Sequence, residues 1–307
     1  MNVEELAQSL IKITSRLPEN QAEQVRQLIS ASRTKTLGLV AHAISNNVNS
    51  NNANSNKDAS KKATCSGEGL IGGQPLLPPY FKWPDDRYGQ SMLFLAQFDF
   101  AHLPVVRDDA PKAGLLTVFR SAAATSLNSK DRKGFHIHCL PESDRKNLAP
   151  TEQPEDNELP AFTFESGLTY TVAQDLDALK KVVDIPFDMQ ADIENWISSF
   201  NSLSKCQSQL FGTNVSGFNQ LQETCAFAFN GISYNPARAS DSHYGHLIKE
   251  AADWILLARI NERELFGKNH TVQETLVLIR EEDMREGHFD RAWMIVRPLA
   301  AAPATPD

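Results

Sequence analysis

Gly72-Gly73-Gln74-Pro75-Leu76-Leu77-Pro78-Pro79-Tyr80-Phe81-Lys82-Trp83-Pro84 opens a stretch that decides the fold. It runs on through Met92-Leu93-Phe94-Leu95-Ala96-Gln97-Phe98-Asp99-Phe100 and closes on Gly114-Leu115-Leu116-Thr117-Val118-Phe119. The glycine pair allows backbone angles that a side chain forbids, and the four prolines exclude helix over the next dozen residues. What is left is an extended, irregular segment carrying Tyr80, Phe81 and Trp83, too apolar to stay in water. The apolar runs Met92 to Phe100 and Leu115 to Phe119 each predict a buried strand.

Outward from this stretch the sequence echoes itself. Leu93-Phe94-Leu95-Ala96-Gln97-Phe98-Asp99 matches Ile255-Leu256-Leu257-Ala258-Arg259-Ile260-Asn261 position for position. The strands that follow begin 18 residues after Gln97 and 17 after Arg259. The expectation is an α+β protein with a β-rich body of two duplicated halves, facing each other across a cleft.

The order of the pieces also resembles a known family. The Gly-Gly-x-Pro-x-Leu-Pro opening, Trp83-Pro84, a strand ending in Gln97-Phe98-Asp99 and a Gly-led strand are similar to the YwqG-like proteins, mostly bacterial and uncharacterised. Gln209-Leu210-Phe211-Gly212 sits where that family has a Gln-Leu-Leu-Gly turn. Asp283-Met284 followed by His288-Phe289-Asp290 resembles its closing segment. The family has no established activity, so the resemblance implies kinship of fold; an accessory or immunity-like role in bacterial toxin systems is an association only. Its second copy usually keeps Gln and Asp, where this chain has Arg259 and Asn261.

The chain has 307 residues, enough for a sizeable core, and a net charge of −8. Residues 67–307 carry about −11 and residues 1–66 about +3, and so acidic a body disfavours a nucleic-acid backbone as partner. No secretory signal and no apolar run of membrane-spanning length is legible, so no membrane partner is expected. Cys65, Cys139, Cys206 and Cys225 are widely spaced, without a metal or disulfide pattern, and the expected compartment is the cytosol.

Residues 1–45 read as a helical extension. Val3, Leu6, Leu10, Ile13 and Leu17 form one stripe, Asn20 and Glu23 can cap a second helix, and Leu37 to Ile44 continues the pattern. Residues 46–66, rich in Asn, Ser and Lys, predict a disordered tether, 67–298 the main domain and 299–307 a loose tail. Within the domain Gly134 to Cys139 reads as a strand, Glu142 to Glu158 as an acidic loop, and Phe162 to Val172 as strand-like alternation. Ala178 to Val183, Asp192 to Leu203 and His246 to Ala251 read as helices, Gln207 to Gln222 as loop and Cys225 to Phe229 as a short strand.

Four residues stand out as binding groups: Trp83, Gln97, Asp99 and Arg259. Gln97 and Asp99 share a strand face, where they serve either a ligand or the unpaired backbone of the Pro-rich segment; the second is favoured. His136 and His138 share another face and form the alternative, a pair of metal ligands in a hydrolase, with His102, His243 and His246 as third-ligand candidates. Asp85, Asp86, Asp108 and Asp109 read as solvated turns. Gly212 to Gly217 is no nucleophile elbow, and His138 and Cys139 point to opposite sides of their strand. With no catalytic constellation legible, the sequence favours a binding module for a protein or small ligand, without cofactor.

Overall fold

Eleven residues, Arg33 to Ala43, set the arrangement of everything else. In the computed structural model they form strand β1, not a continuation of the helices before it. The model describes residues 3–43, 67–122, 129–152, 159–172, 179–180, 182–202, 208–213, 215, 217–262 and 273–298. The expected tether and tail, and part of the Ala178 to Val183 helix, lie outside these residues. β1 runs antiparallel along all of β8 (Phe162–Val172), from Arg33 against Val172 to Ala43 against Phe162. The apolar residues Leu37 and Leu39 alternate with Gly38 and Val40, and this two-residue period places Leu37 and Leu39 in the core and Val40 in solvent. The extension is therefore no separable unit, since its last third is a central strand.

On either side of the central pair lies a wing of antiparallel strands. One wing holds β2 (Gly69–Ile71), β4 (Leu93–Asp99), β5 (Leu115–Arg120) and β6 (Phe135–Leu140). The other holds β9 (Ser208–Leu210), β10 (Trp254–Asn261), β11 (Gln273–Arg280) and β12 (Trp293–Pro298). Among the described residues this makes a ten-stranded sheet in the order β12-β11-β10-β9-β1-β8-β2-β4-β5-β6. A separate two-stranded piece pairs β3 (Leu76–Leu77) with β7 (Ala149–Pro150). The fold is α+β and β-rich, as expected.

The wings match in register. β4 bulges at Leu95 and β10 at Leu257, the same position of the repeated heptapeptide. Gly72 donates its N–H to the Leu95 carbonyl at 2.8 Å, and Phe211 donates to the Leu257 carbonyl at 3.2 Å. Gly72 has φ +65° and Phe211 φ +61°, and among the described residues Phe211 alone holds a positive φ without being glycine. A Cβ on Gly73 would strike Ala161, just ahead of β8, and one on Gly212 would strike Thr36 of β1, so each turn presses its glycine against the central pair or its entry.

No cleft opens between the wings. The sheet curls toward a barrel until Phe135 of β6 meets Trp293 of β12 edge to face at 5.2 Å. The space between is filled by side chains of both wings, among them Leu95, Phe98, Val118, Leu257, Val277 and Met294. A buried ion pair fastens the two: Arg120 Nε donates to Glu262 Oε1 at 2.8 Å, and Thr275 Oγ1 donates to the same carboxylate.

Helices cover the outside. α1 (Val3–Thr14) and α2 (Glu19–Ala31) pack with α3 (Phe187–Ser202), burying Leu6, Leu10, Val25, Ile193 and Trp196 together. α2 starts at Glu19 with Pro18, not Asn20, at its cap, because the proline ring fixes a helix-entry φ two residues earlier. α4 (Phe218–Phe229) and α5 (Gly245–Ala251) cover the second wing. Within the expected loop from Gln207 to Gln222 lie β9 at Ser208–Leu210 and the first turn of α4 from Phe218, with irregular backbone at the described residues between them, and the expected strand Cys225 to Phe229 is helix. Cys225, Ala226, Phe227 and Ala228 are all buried in succession, so this half of the helix carries an unbroken apolar run that reads as a strand. Among the described residues no helix is long and apolar enough to cross a membrane.

Candidate functional site

The residues singled out in the sequence gather on the outer face of the first wing, except Arg259. Residues 74–92 lie over that face as an apron. Its apolar side chains Leu77, Phe81, Trp83 and Met92 close a core with Leu70, Phe94, Phe119 and Leu140. Trp83 stands half-buried at the centre, its Nε1 donating to the Met92 carbonyl at 2.8 Å and its ring edge-on to Phe119 at 5.1 Å.

Gln97 is fully buried beneath the apron. Its Oε1 accepts from the Leu76 N–H at 2.9 Å, while its Nε2 donates to the Leu76 carbonyl at 3.0 Å and to Thr117 Oγ1 at 2.9 Å. One side-chain amide thereby satisfies both backbone groups of a residue that has few ladder bonds of its own. Asp99, two residues on, is 3% exposed. Arg145 clasps it in a fork at 2.8 and 2.6 Å, His102 Nδ1 lies 2.9 Å away and the Ala101 N–H donates at 3.1 Å. Burial opposes its ionisation, but the Arg145, His102 and Ala101 bonds outweigh that and hold the carboxyl below the usual range.

His136 and His138 project from β6 on the same outer face, as their spacing requires. Their rings lie nearly parallel with centroids 6.0 Å apart, and Phe81 of the apron touches both, at 6.0 and 5.8 Å. Neither meets open water fully, because Phe81 partly roofs the strand face they share. Burial, with repulsion from His138 and Arg132, pushes His136 down to about 4. Burial also lowers His138. Both are neutral at pH 7. Among the described residues no group of three His, Cys, Asp or Glu side chains could hold a metal ion, so none of the three third-ligand candidates completes a site. Burial raises the Cys139 thiol to about 12, and Cys225 well above its usual value. Neither is a ready nucleophile.

Arg259 occupies on β10 the position that Gln97 holds on β4, and so lies on the other wing. Its Nε donates to Glu274 at 2.6 Å, and Arg297 Nε donates to the same buried carboxylate at 2.7 Å. Of the four aspartates read as solvated turns, Asp86 departs: it is 8% exposed and accepts from the N–H groups of Tyr88 and Gln90 and from Ser121 Oγ. It builds the tip of the apron from within.

What the apron offers to solvent is aromatic. Tyr80 is 66% exposed and hydrogen-bonded to Asp144; Tyr88 is 69% exposed, with the Arg87 guanidinium 5.3 Å from its ring. The sequence reading expects Tyr80 to leave water and does not single out Tyr88, because only the hydrogen bonds of Gln97 and Asp86 distinguish a rigid aromatic surface from a loose Pro-rich loop. A cavity elsewhere, between Leu37, Phe100, Val106 and Phe211, measures about 20 Å³, room for about one water and no ligand.

Fold and site define an α+β protein with an aromatic, proline-stiffened surface and no assembled catalytic centre among the described residues. A family model, the domain of unknown function DUF1963, matches residues 70–297. The chain belongs to that family. No curated protein matches it.

Proposed function

We propose that this protein is a binding module whose contact surface is the apron. The observation that carries the reading is the pair Tyr80 and Tyr88, held out from a segment whose backbone is fixed by Gln97, Asp86 and Trp83. Large aromatic side chains on a rigid support lose little entropy on contact, which is why they dominate binding energies at interfaces. His136 and His138, neutral and partly covered, extend the same surface with hydrogen-bonding edges. Trp83, Gln97 and Asp99 then act as supports for the partner-binding face, and Arg259 stands apart from it.

The wings descend, on this reading, from one duplicated unit, supported by the common bulge and the two pressed glycines. In the second wing Arg259 replaces Gln97, and helices replace the apron, so one half kept the binding surface. The YwqG-like resemblance, a bacterial source and a cytosolic setting belong to the same reading, and an immunity-like role is one form it could take. The test is Tyr80→Ala with Tyr88→Ala, used as bait in the native cell beside the wild type. The variant is expected to melt like the wild type and to lose the partner that the wild type captures. A variant that keeps every wild-type partner refutes the reading.

A further inference from the structure

The central strands β1 and β8 outrun their neighbours, since β2 and β9 hold only three residues each. One face of the pair carries Leu37, Leu39 and Phe164 into the main core and, at its far end, Val172 into the helical layer. Between those two cores, among the described residues, the same face is open to solvent. Lys35 pairs across to Tyr170 and Leu37 to Leu168; Tyr170 is 46% exposed and Leu168 59%. One wall of this saddle is Val105, 57% exposed, which shares a cleft with Leu37. The other is Arg33, whose guanidinium lies 5.1 Å from the Tyr170 ring and 5.4 Å from that of Phe200.

The charge here runs against the rest of the chain. Net charge is −8, yet neither Arg33 nor Lys35 has a carboxylate partner among the described residues. Two cations without a carboxylate partner among the described residues, beside three exposed apolar side chains, call for a ligand with the opposite charge and the same apolarity. We propose that the saddle docks an acidic amphipathic peptide segment of another protein. Its apolar side chains cover Leu168, Tyr170 and Val105, and its carboxylates meet Arg33 and Lys35. The saddle lies on the sheet face opposite the one that carries Leu70 under the apron, so the proposal stands without the apron reading.

The probe is a 14-residue peptide with Leu and Phe on one helical face and Glu on the other, against a control with Lys for Glu. Binding is read by fluorescence anisotropy, and occupancy by protection of Lys35 from an amine-reactive label. The acidic peptide is expected to bind, to protect Lys35, and to weaken about tenfold or more in Lys35→Glu and in Leu168→Asp. Both residues are exposed, so both variants should melt like the wild type. Equal binding of acidic and basic peptides, or unchanged binding in both variants, overturns the proposal. So does self-association of the wild type that these variants abolish, since the occupant is then a second copy.

Discussion

Replacing His136 by Phe should flatten the acid side of the stability profile. The ring is packed among Phe81, Phe119 and His138, and a phenyl group keeps those contacts without a titrating nitrogen. In an unfolded chain the imidazole titrates near 6.5, and in the folded protein at about 4. Between those values the unfolded chain binds more protons, so stability is whole above pH 6.5 and falls as the solution is acidified. The full gap corresponds to about 3 kcal/mol, reached only below pH 4. At pH 5 the loss amounts to about 2 kcal/mol, and solvent at the partly open ring trims it toward about 1. Arg132 and His138 push in the same direction and Asp290 opposes them. Urea unfolding followed by tryptophan fluorescence at pH 7, 6 and 5 gives the comparison. The wild type should lose about 1–2 kcal/mol more than His136→Phe over that range. Parallel pH slopes for the two proteins would show that His136 is not desolvated as described.

Trp83→Ala should cost about 3 kcal/mol, because it removes both the core of the apron and a bond to Met92; a loss under about 1 kcal/mol, with partner binding gone, would make Trp83 an interface residue instead. Arg120→Ala strands the buried Glu262 carboxylate and should cost about 3–5 kcal/mol, whereas Arg120→Met with Glu262→Leu should come much closer to the wild type; equal losses in both would refute the ion-pair account. The protein should purify with well under one equivalent of zinc, manganese or iron, and its melt should not respond to chelator; stoichiometric metal lost in His136→Ala with His138→Ala would revive the hydrolase.

The elements legible in the sequence were those whose burial leaves a period. β4, β5 and β6 read as strands, and α1 and α3 as helices, from one-sided or continuous apolar runs. β1 was hidden because it follows α2 with a single Ser between them, and Leu37 to Ile44 extends an apolar count begun in the helix. α4 was hidden because its second half, Cys225 to Phe229, is an unbroken apolar run that reads equally well as a strand. For the site, the spacing of Gln97 and Asp99 gave their shared face. What they bond to was not legible: Leu76 lies 21 residues away and Arg145 46, joined only by the fold. The same holds for the cleft expected between the halves, since nothing in either strand alone says that the two inner faces interlock.

The position of β1 has a consequence for how the chain is made. It is made well before both of its partners, β8, which ends at Val172, and β9, which ends at Leu210. At the usual 5–20 residues per second, roughly six to twenty-five seconds separate the synthesis of β1 from that of β8, the first of its partners to be made. For that interval Leu37 and Leu39 sit on a strand with neither edge paired, the state in which nascent chains stick to one another. Such long-range pairing also makes for slow folding. Expression at low temperature or with added chaperone should therefore raise the soluble yield, by shielding β1 until β8 is made.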